Sequence, residues 1–208
     1  MICGRKAAES PYRFVACDVR QPDEVAALVE DVVARSGHLD VVVNNAGGSP
    51  YADAATMSPK LAERVVALNL LAPFYVAQAA NAIMQGQPDG GVIVNIGSVA
   101  ARRPAPGTSA YNAAKAGLVV LTRSLALEWA PKVRVNLVSA GLVQTEADAY
   151  APGVETSIPM GRLATPADIG AACLMLAGPT ASYITGADLY VDGGGENPAF
   201  LSAGGTDG

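Results

Sequence analysis

The sequence predicts an α/β fold in which helices cover both faces of a doubly wound parallel sheet. Short runs rich in β-branched residues alternate with longer stretches of helical periodicity, which is the pattern of βαβ units. Each run is almost entirely apolar, as expected of strands that are buried on both faces. The length of 208 residues suits one core. We therefore expect a single domain over residues 1–195 and a glycine-rich tail over 196–208.

Five predicted strands lie within the chain, and the first six residues are interpreted as the end of an earlier strand. The five apolar runs are RFVACDV, LDVVVNN, GVIVNI, VRVNLV and DLYVDGG. The first helix begins at Pro22, where a first helical turn accepts proline, and ends at Gly37. A long helical segment follows over 58–84, and Pro73 is expected to kink or divide it. Thr165 and Asp168 form a predicted capping box for a later helix.

Composition excludes several classes of protein. With 14 basic and 19 acidic residues the formal charge is −5, which argues against a nucleic-acid binder. No apolar run approaches the ~18 residues of a membrane span, and the first ten residues lack a secretory apolar stretch. We therefore expect a cytoplasmic protein without a membrane partner.

The cysteines and the single histidine offer little chemistry. Cys3, Cys17 and Cys173 are odd in number and lack CxxC spacing, so neither a disulfide framework nor a metal site is expected. They are predicted to be small buried hydrophobic residues. His38 stands just before an apolar run, and a loop position is expected for it.

Two residues on one helix face give the sharpest local signal. Tyr111 and Lys115 are four residues apart, so a helix brings the ammonium near the phenol or near a ligand bound against it. Such a pair also occurs by chance on solvated helix faces. Ser98 precedes Tyr111 by thirteen residues and directly follows a buried-type strand. Open α/β sheets bind their ligands at this end of a strand.

Polar residues follow two other strands. Asn44, Asn45, Ala46 and Gly47 come after the second run, where such residues usually form only a turn. Asp18 ends the first run, and its carboxylate can accept hydrogen bonds from an adenine amino group or a ribose hydroxyl. The alternative for Asp18 is a cap on the helix that opens near Pro22.

Taken in order, these motifs resemble the short-chain dehydrogenase/reductase family. The resemblance runs from about residue 2 to about residue 195 and implies a Rossmann-like sheet. The matching positions are Asp18-Val19, Asn44 to Gly47, Asn69, Ser98, Tyr111-x-x-x-Lys115, Asn136, Thr145 and Asp192-Gly193-Gly194. One departure is Ala140-Gly141, where the family usually has Pro-Gly, and we expect a more mobile loop there.

The resemblance implies an NAD(P)-dependent oxidoreductase that interconverts a secondary alcohol and a ketone. Tyr111 would be the acid/base, Lys115 its electrostatic partner, Ser98 the group that orients the substrate oxygen, and Asn69 the holder of a relay water. A phenol has a pKa near 10, and bringing it towards neutrality takes about 3–4 kcal/mol of preferential phenolate stabilisation. A neighbouring ammonium and a cationic nicotinamide ring can supply that energy.

The cofactor contacts carry over in the same way. Asp18 and Val19 would face adenine, Asn44, Ala46 and Gly47 the adenosine and ribose, and Val143 and Thr145 the nicotinamide amide, with Tyr111 and Lys115 beside the ring. Arg5 and Lys6 come just after the presumed second strand of the family's sheet, where they would suit a 2′-phosphate and slightly favour NADP over NAD. An ordinary solvated turn explains them equally well.

The family opens with a strand, a glycine-rich turn and a helix that holds the pyrophosphate, and we expect this unit to be missing here. The absent strand would lie at the centre of the sheet, so an interrupted sheet is expected. The start is either an internal Met of a longer reading frame or a true truncation. In the second case, a non-catalytic oligomerisation or binding module becomes the alternative function. An extended-branch epimerase or dehydratase is disfavoured by the length.

Substrate and assembly are predicted from the expected rim of the site. Residues 48–51, 100–103 and 142–160 are mostly apolar, which favours a lipophilic ketone that is steroid-like or acyl-thioester-like. Arg102 and Arg103 could meet an anionic carrier group, although surface solvation explains them as well. Family members usually form homodimers or homotetramers, here through helices over about 58–84 and 108–130 and the last strand. The alanines expected to allow close approach between subunits are Ala113, Ala114, Ala116 and Ala126.

Overall fold

A computed structural model describes residues 1–6, 10–145 and 150–195, and within them strands alternate with helices. The strands are β1 (Ile2–Gly4), β2 (Phe14–Ala16), β3 (Val41–Asn44), β4 (Gly91–Ser98), β5 (Val133–Ala140) and β6 (Asp188–Val191). The helices are α1 (Pro22–Ser36), α2 (Pro59–Val66), α3 (Ala72–Met84), α4 (Ser109–Trp129) and α5 (Pro166–Ala177). The predicted tail over 196–208 lies outside the described residues.

All strand pairs are parallel, but they form two separate sheets. β3, β4, β5 and β6 pair in that order, whereas β1 pairs with β2 alone. Within the described ranges no ladder joins β1 or β2 to β3. Val41 and Val43 are 42% and 46% exposed, which is unusual for an apolar parallel strand and reflects its unpaired edge. The prediction of an interrupted parallel sheet agrees with this division.

Helices cover both faces of the four-stranded sheet, as predicted. On one face, Met84 of α3 and Leu125 of α4 pack against Ile93 and Val135. On the other face, Cys173 and Leu176 of α5 pack against Val92, Val94 and Val138. Because alternate residues of β4 and β5 point to opposite faces, both sets of apolar side chains are buried. This packing fixes the position of α4 on the face formed by β4 and β5.

The predicted break at Pro73 lies one turn earlier than expected. A π-helical turn over Ala67–Leu71 joins α2 to α3, and Pro73 follows inside α3. Proline has no N–H and its ring crowds the carbonyl four residues before it, which here belongs to Asn69. The widened turn accommodates this crowding without dividing the helix. The irregularity therefore falls on Asn69, one of the predicted site residues.

The combined helix Pro59–Met84 is 26 residues long, with a mean hydropathy of 1.4 in its most apolar window. By length and composition, this helix is long and apolar enough to cross a membrane. A search of the sequence for uninterrupted apolar runs does not detect it, because its apolar residues are not contiguous. Core helices of globular proteins meet the same criteria. Ala77, Ala80 and Met84 of this helix are completely buried in the sheet's core.

Other local predictions have mixed outcomes. The Thr165–Asp168 capping box is confirmed, and His38 lies in a loop where it pairs with Asp40 at 2.7 Å. Cys17 and Cys173 are buried as predicted, but the prediction is wrong for Cys3, which is exposed on β1. β1 belongs to a two-stranded sheet, so its residues have less cover than those of the main sheet.

Candidate active site

The candidate catalytic residues lie where β3 and β4 end. β3 ends at Asn44, β4 ends at Ser98, and α4 begins at Ser109 beside them. The Nζ atom of Lys115 donates a hydrogen bond of 2.7 Å to the Ile96 carbonyl of β4. This contact ties α4 to the end of the strand that carries Ser98. The strand that carries Ser98 and the helix that carries Tyr111 are therefore joined by a direct hydrogen bond.

Lys115 is buried beside Tyr111. Lys115 is only 4% exposed, and its Nζ lies 5.7 Å from the centroid of the Tyr111 ring. Burial lowers the pKa of Lys115 to about 8, because the charged ammonium loses solvation. The alternative of a solvated helix face is therefore wrong for Lys115. At neutral pH a largely protonated ammonium lies next to the phenol.

Ser98 caps a short turn that leads away from β4. Its Oγ accepts a hydrogen bond of 3.1 Å from the Ala100 amide, at the start of the 3₁₀ turn Val99–Ala101. A hydroxyl that accepts in this way still has its own proton to donate. The side chain is thus held at the strand end with a donor to offer to a ligand oxygen.

Asn69 clamps the turn that follows β3. It is completely buried, and its Oδ1 accepts from the Gly48 amide at 2.9 Å. Its Nδ2 donates to the carbonyls of Gly48 and Val65, each at 2.9 Å. These three bonds occupy the amide side chain, so its role in holding a relay water stays a prediction. The backbone offers a second group, since Pro73 cannot donate to the Asn69 carbonyl.

Gly47 lies at the closest approach between this turn and α4. A Cβ atom at Gly47 would lie 3.0 Å from Asn69 Oδ1 and 3.3 Å from Lys115 Nζ. Both atoms are already committed to hydrogen bonds, so neither can move aside without loss. The absence of a side chain therefore lets the turn, Asn69 and Lys115 meet.

Replacing Gly47 with alanine is expected to lower kcat/KM about tenfold, equivalent to ~1.4 kcal/mol, because the added methyl displaces Asn69 or Lys115. Gly170→Ala is the matched control, since a Cβ at this position in α5 meets no atom within 4 Å. Steady-state kinetics of both variants checks the prediction. Equal activity of the two variants would contradict it.

The Asn44 side chain is directed into the protein. Its Nδ2 donates to Asn95 Oδ1 at 2.9 Å and to the Pro73 carbonyl at 3.2 Å. Any contact with a cofactor therefore falls to other groups of the turn, such as the backbone around the exposed Ala46. A cofactor role for this turn stays a prediction.

Asp18 is held by an arginine that the sequence analysis did not consider. The Arg20 side chain grips both carboxylate oxygens, with Nε 2.8 Å from Oδ1, and the Arg20 amide also donates to Oδ1. This hydrogen bonding lowers the pKa of Asp18 to about 2, and nearby Arg5 contributes to the lowering. The N-cap residue of α1 is Gln21 and not Asp18, so the capping alternative is wrong. Half-buried Val19 lies between Asp18 and Arg20.

The second predicted cofactor segment follows β5. Val143 forms an isolated parallel bridge with Ala164, and the Ala164 amide donates to the Leu142 carbonyl at 2.9 Å. These bonds close the base of the segment that runs from 142 to 164. Thr145 lies just beyond the bridge and is exposed. Residues 146–149 of the expected substrate rim lie outside the described residues.

A cavity of about 190 Å³ lies between this segment and the end of β6. The residues that line it are Leu142, Ile158, Met160, Arg162, Ala164, Asp168, Val191, Asp192 and Gly193. None of the four predicted catalytic side chains lines it. The cavity is therefore separate from these four side chains, and part of the predicted substrate rim bounds it.

Arg102 and Arg103 bind to β6 and to the residue after it. Arg102 lies 4.8 Å from the centroid of the Tyr190 ring and 3.6 Å from an Asp188 oxygen. Arg103 forms an ion pair of 3.4 Å with Asp192. Both arginine side chains are also exposed, 56% for Arg102 and 40% for Arg103, so the alternative of solvated surface residues remains compatible with their positions. Their engagement with acidic partners also weakens the reason for expecting an anionic carrier group.

Two polar residues of the site region escaped the sequence analysis. Asn95 pairs in register with Asn44, and its Nδ2 donates to Thr122 Oγ1 at 2.9 Å. Asn95 was visible as a polar residue inside an apolar strand. Its partners were not, because they lie 51 and 27 residues away along the chain.

Comparisons with known proteins agree with this arrangement. A family model described as enoyl-(acyl carrier protein) reductase matches residues 3–196. D-threitol dehydrogenase of Mycolicibacterium smegmatis is 38% identical over 190 residues, which cover 88% of this chain and 73% of the relative.

Solved structures show the same fold. The ligand-free aldohexose dehydrogenase of Thermoplasma acidophilum matches with a TM-score of 0.86 and 32% identity, covering 92% of this chain and 82% of that one. A 7α-hydroxysteroid dehydrogenase, complexed with NADH and 7-oxo glycochenodeoxycholic acid, matches with a TM-score of 0.83 and 32% identity, covering 89% and 76%. The motif order, the parallel sheet and these matches show that the chain belongs to the short-chain dehydrogenase/reductase family of oxidoreductases.

Proposed function

We propose that the chain is an NAD(P)-dependent oxidoreductase that interconverts a secondary alcohol and a ketone. The observation that carries the proposal is the buried Lys115 ammonium beside Tyr111, at the strand end that also holds Ser98. Burying a cation costs free energy, and ionisable groups buried at such a cost cluster at functional sites. Family membership supports the same reaction class.

Tyr111 would transfer the proton. In reduction the phenol gives its proton to the carbonyl oxygen, and in oxidation the phenolate takes the proton of the alcohol. The Ser98 hydroxyl would donate a hydrogen bond to the same oxygen, and the Lys115 ammonium would stabilise the phenolate. The Asn69 carbonyl, which Pro73 cannot satisfy, would hold the water that returns a proton to the site. When bound, NAD(P) supplies or accepts the hydride at the carbonyl carbon.

The residues around β3 suit one end of such a cofactor. Gly47 presents backbone without a side chain, beside Lys115, and a Cβ there would crowd the site. Lys115 and the Asn44–Gly47 turn would hold the nicotinamide ribose and adenosine. Asp18 and Val19 would face adenine. Val143 and Thr145 would face the nicotinamide amide.

Arg5 is proposed to favour NADP by binding its 2′-phosphate. Its charge acts on Asp18, which places it at the same end of the β1–β2 pair. Arg5→Glu is therefore expected to weaken NADP binding at least tenfold, because a carboxylate would repel the phosphate. NAD, which lacks this phosphate, serves as the internal control. Calorimetric titration measures both, and an equal loss for both nucleotides would contradict the role of Arg5.

The substrate is proposed to be lipophilic, either steroid-like or acyl-thioester-like. Tyr51 presents a ring that is 76% exposed, and Met160 is 66% exposed on the other side of the predicted rim. These apolar surfaces support the proposal, as does the hydroxysteroid dehydrogenase among the matches. The polyol and aldohexose dehydrogenases among the matches represent the competing substrate class.

A panel of substrates tests both the reaction and the substrate class. Oxidation of NADPH and NADH is followed with a steroid ketone, a β-ketoacyl thioester and an oxidised polyol. Turnover with any of them supports the oxidoreductase. We expect kcat/KM to be highest with one of the two lipophilic ketones, and a clear preference for the sugar-derived ketone would overturn the substrate class.

Assembly is proposed from exposed apolar side chains on α4. Val120 and Leu127 of α4 are exposed at seven-residue spacing, with exposed Ala113 in line, and this stripe suits a homodimer or homotetramer interface. Ala114 and Ala126 are buried within the chain, so close packing inside one subunit explains those two alanines. A cytoplasmic location stays a prediction.

A further inference from the structure

Three polar side chains form a continuous buried chain between β3, β4 and α4. Asn44 Nδ2 donates to Asn95 Oδ1 at 2.9 Å, and Asn95 Nδ2 donates to Thr122 Oγ1 at 2.9 Å. Thr122 Oγ1 in turn donates to the Leu118 carbonyl at 2.8 Å. Asn95 and Thr122 are each 1% exposed, so water cannot replace any of these bonds. The chain therefore connects the turn after β3 with the helix of Tyr111 and Lys115.

α4 is thus attached to β4 by two hydrogen bonds on one helix face. Lys115 Nζ donates to the Ile96 carbonyl, and Thr122 accepts from the neighbouring strand residue, Asn95. Positions 115 and 122 are about two helical turns apart and lie on the same side of α4. Between them, Leu118 and Val119 make apolar contacts with Leu137 of β5, and Leu118 is completely buried.

Apolar contacts and these hydrogen bonds constrain the helix differently. Hydrophobic packing is not directional, so it permits small axial shifts of α4 over the sheet. A buried hydrogen bond is directional, and leaving its donor unpaired costs about 1–3 kcal/mol. The Asn95–Thr122 bond therefore selects one axial position of α4. That position determines where Tyr111 and Lys115 stand relative to Ser98.

We propose that Asn95 and Thr122 are positioning residues, which hold Tyr111 and Lys115 in catalytic alignment through the axial position of α4. The proposal rests on the proposed function for its kinetic consequence. Its structural consequence, the placement of Lys115 against Ile96, does not depend on any turnover.

The test compares three variants. Thr122→Val keeps the volume but removes the hydroxyl, so Asn95 Nδ2 loses its acceptor and α4 is freed to shift. Thr122→Ser retains the hydroxyl and should restore the alignment. Gln87→Leu is the stability control. Gln87 makes three hydrogen bonds to Leu39 and Gly90, which precede β3 and β4 at the end of the sheet away from the candidate site.

Kinetics and crystal structures give separate readouts. We expect Thr122→Val to lower kcat at least tenfold per folded molecule with little change in KM, whereas Thr122→Ser and Gln87→Leu stay within about threefold of the parent chain. We also expect Lys115 Nζ to lose its 2.7 Å contact with the Ile96 carbonyl only in Thr122→Val. Thr122→Ala replaces Thr122→Val if the latter does not fold.

The outcomes separate this proposal from the proposed function. If the hydroxyl-free variant is less stable but keeps both the kcat and the Lys115 contact, the residues are merely structural and the proposal is overturned. If the parent chain shows no turnover, the proposed function fails, and the crystal structures decide the positioning role alone. An unchanged Lys115 contact in the hydroxyl-free variant overturns it in that case too.

Discussion

Replacing Tyr111 with phenylalanine is expected to lower kcat by about 10²–10⁴-fold, the usual contribution of a positioned acid/base group. The substitution removes only the hydroxyl and keeps the ring that lies 5.7 Å from Lys115 Nζ. Cofactor affinity should therefore change little. Initial rates with the best substrate of the panel measure kcat, and calorimetric titration measures nucleotide binding. A fall in kcat without a fall in affinity identifies the phenol as the proton donor.

Tyr183 provides the matched control for this substitution. It is fully exposed in the turn before β6, and Tyr183→Phe removes the same atom far from the candidate site. We expect its kcat to equal that of the parent chain. If Tyr111→Phe also keeps kcat within threefold of the parent chain, Tyr111 is not the acid/base.

Replacing Lys115 with methionine is expected to have two opposite effects. Activity should fall by at least 10²-fold, since the phenolate of Tyr111 loses the ammonium that stabilises it. The free energy of unfolding should rise, because the variant no longer buries a cation. Because the pKa of Lys115 is lowered from 10.5 to about 8, that cost is about 3 kcal/mol at neutral pH. Methionine fills a similar volume without charge.

The pH dependence of stability isolates this second effect. Below pH 8 both folded and unfolded chains carry the Lys115 proton, and the folded state bears the full penalty. Between pH 8 and about 10.5 the folded state releases the proton first, so the unfolded state binds more protons and stability rises with pH. The free energy of unfolding of the parent chain, relative to Lys115→Met, should therefore rise by about 3 kcal/mol across this window.

Urea denaturation of both proteins at pH 7 and pH 10.5 measures this difference. Both proteins carry Tyr111→Phe in this comparison, because the Tyr111 phenol titrates in the same window and contacts Lys115. The other groups that titrate there are common to both proteins and cancel. A parallel pH dependence of the two proteins would show that Lys115 is not buried as a cation in the folded chain.

The elements with strong local signals were predictable from the sequence. Nearly uninterrupted apolar runs indicate β3, β4 and β5. The Thr165–Asp168 capping box indicates the start of α5. Proline at the first turn and glycine at the end likewise delimit α1. In each case the cause lies within a few residues of the effect, where sequence patterns are informative.

The contacts that build the site lie beyond this reach. The π-helical turn that contains Asn69 packs against α4 through Leu70, whereas the sequence indicates only that Pro73 disturbs the helix. The hydrogen bonds from Arg20 to Asp18 depend on how these two side chains are oriented within a turn. The chain from Asn44 to Thr122 joins residues that only the three-dimensional fold brings together.

The most direct test of the proposed oxidoreductase is a single-turnover transfer of deuterium. The purified chain is mixed with NADPH or NADH that carries deuterium at C4 and with the panel ketones, and the products are analysed by mass spectrometry. We predict that the product alcohol carries deuterium at the former carbonyl carbon, and that Tyr111→Phe forms none of it on the same timescale. Nucleotide binding without deuterium in any product would contradict the proposed reaction and support a binding module instead.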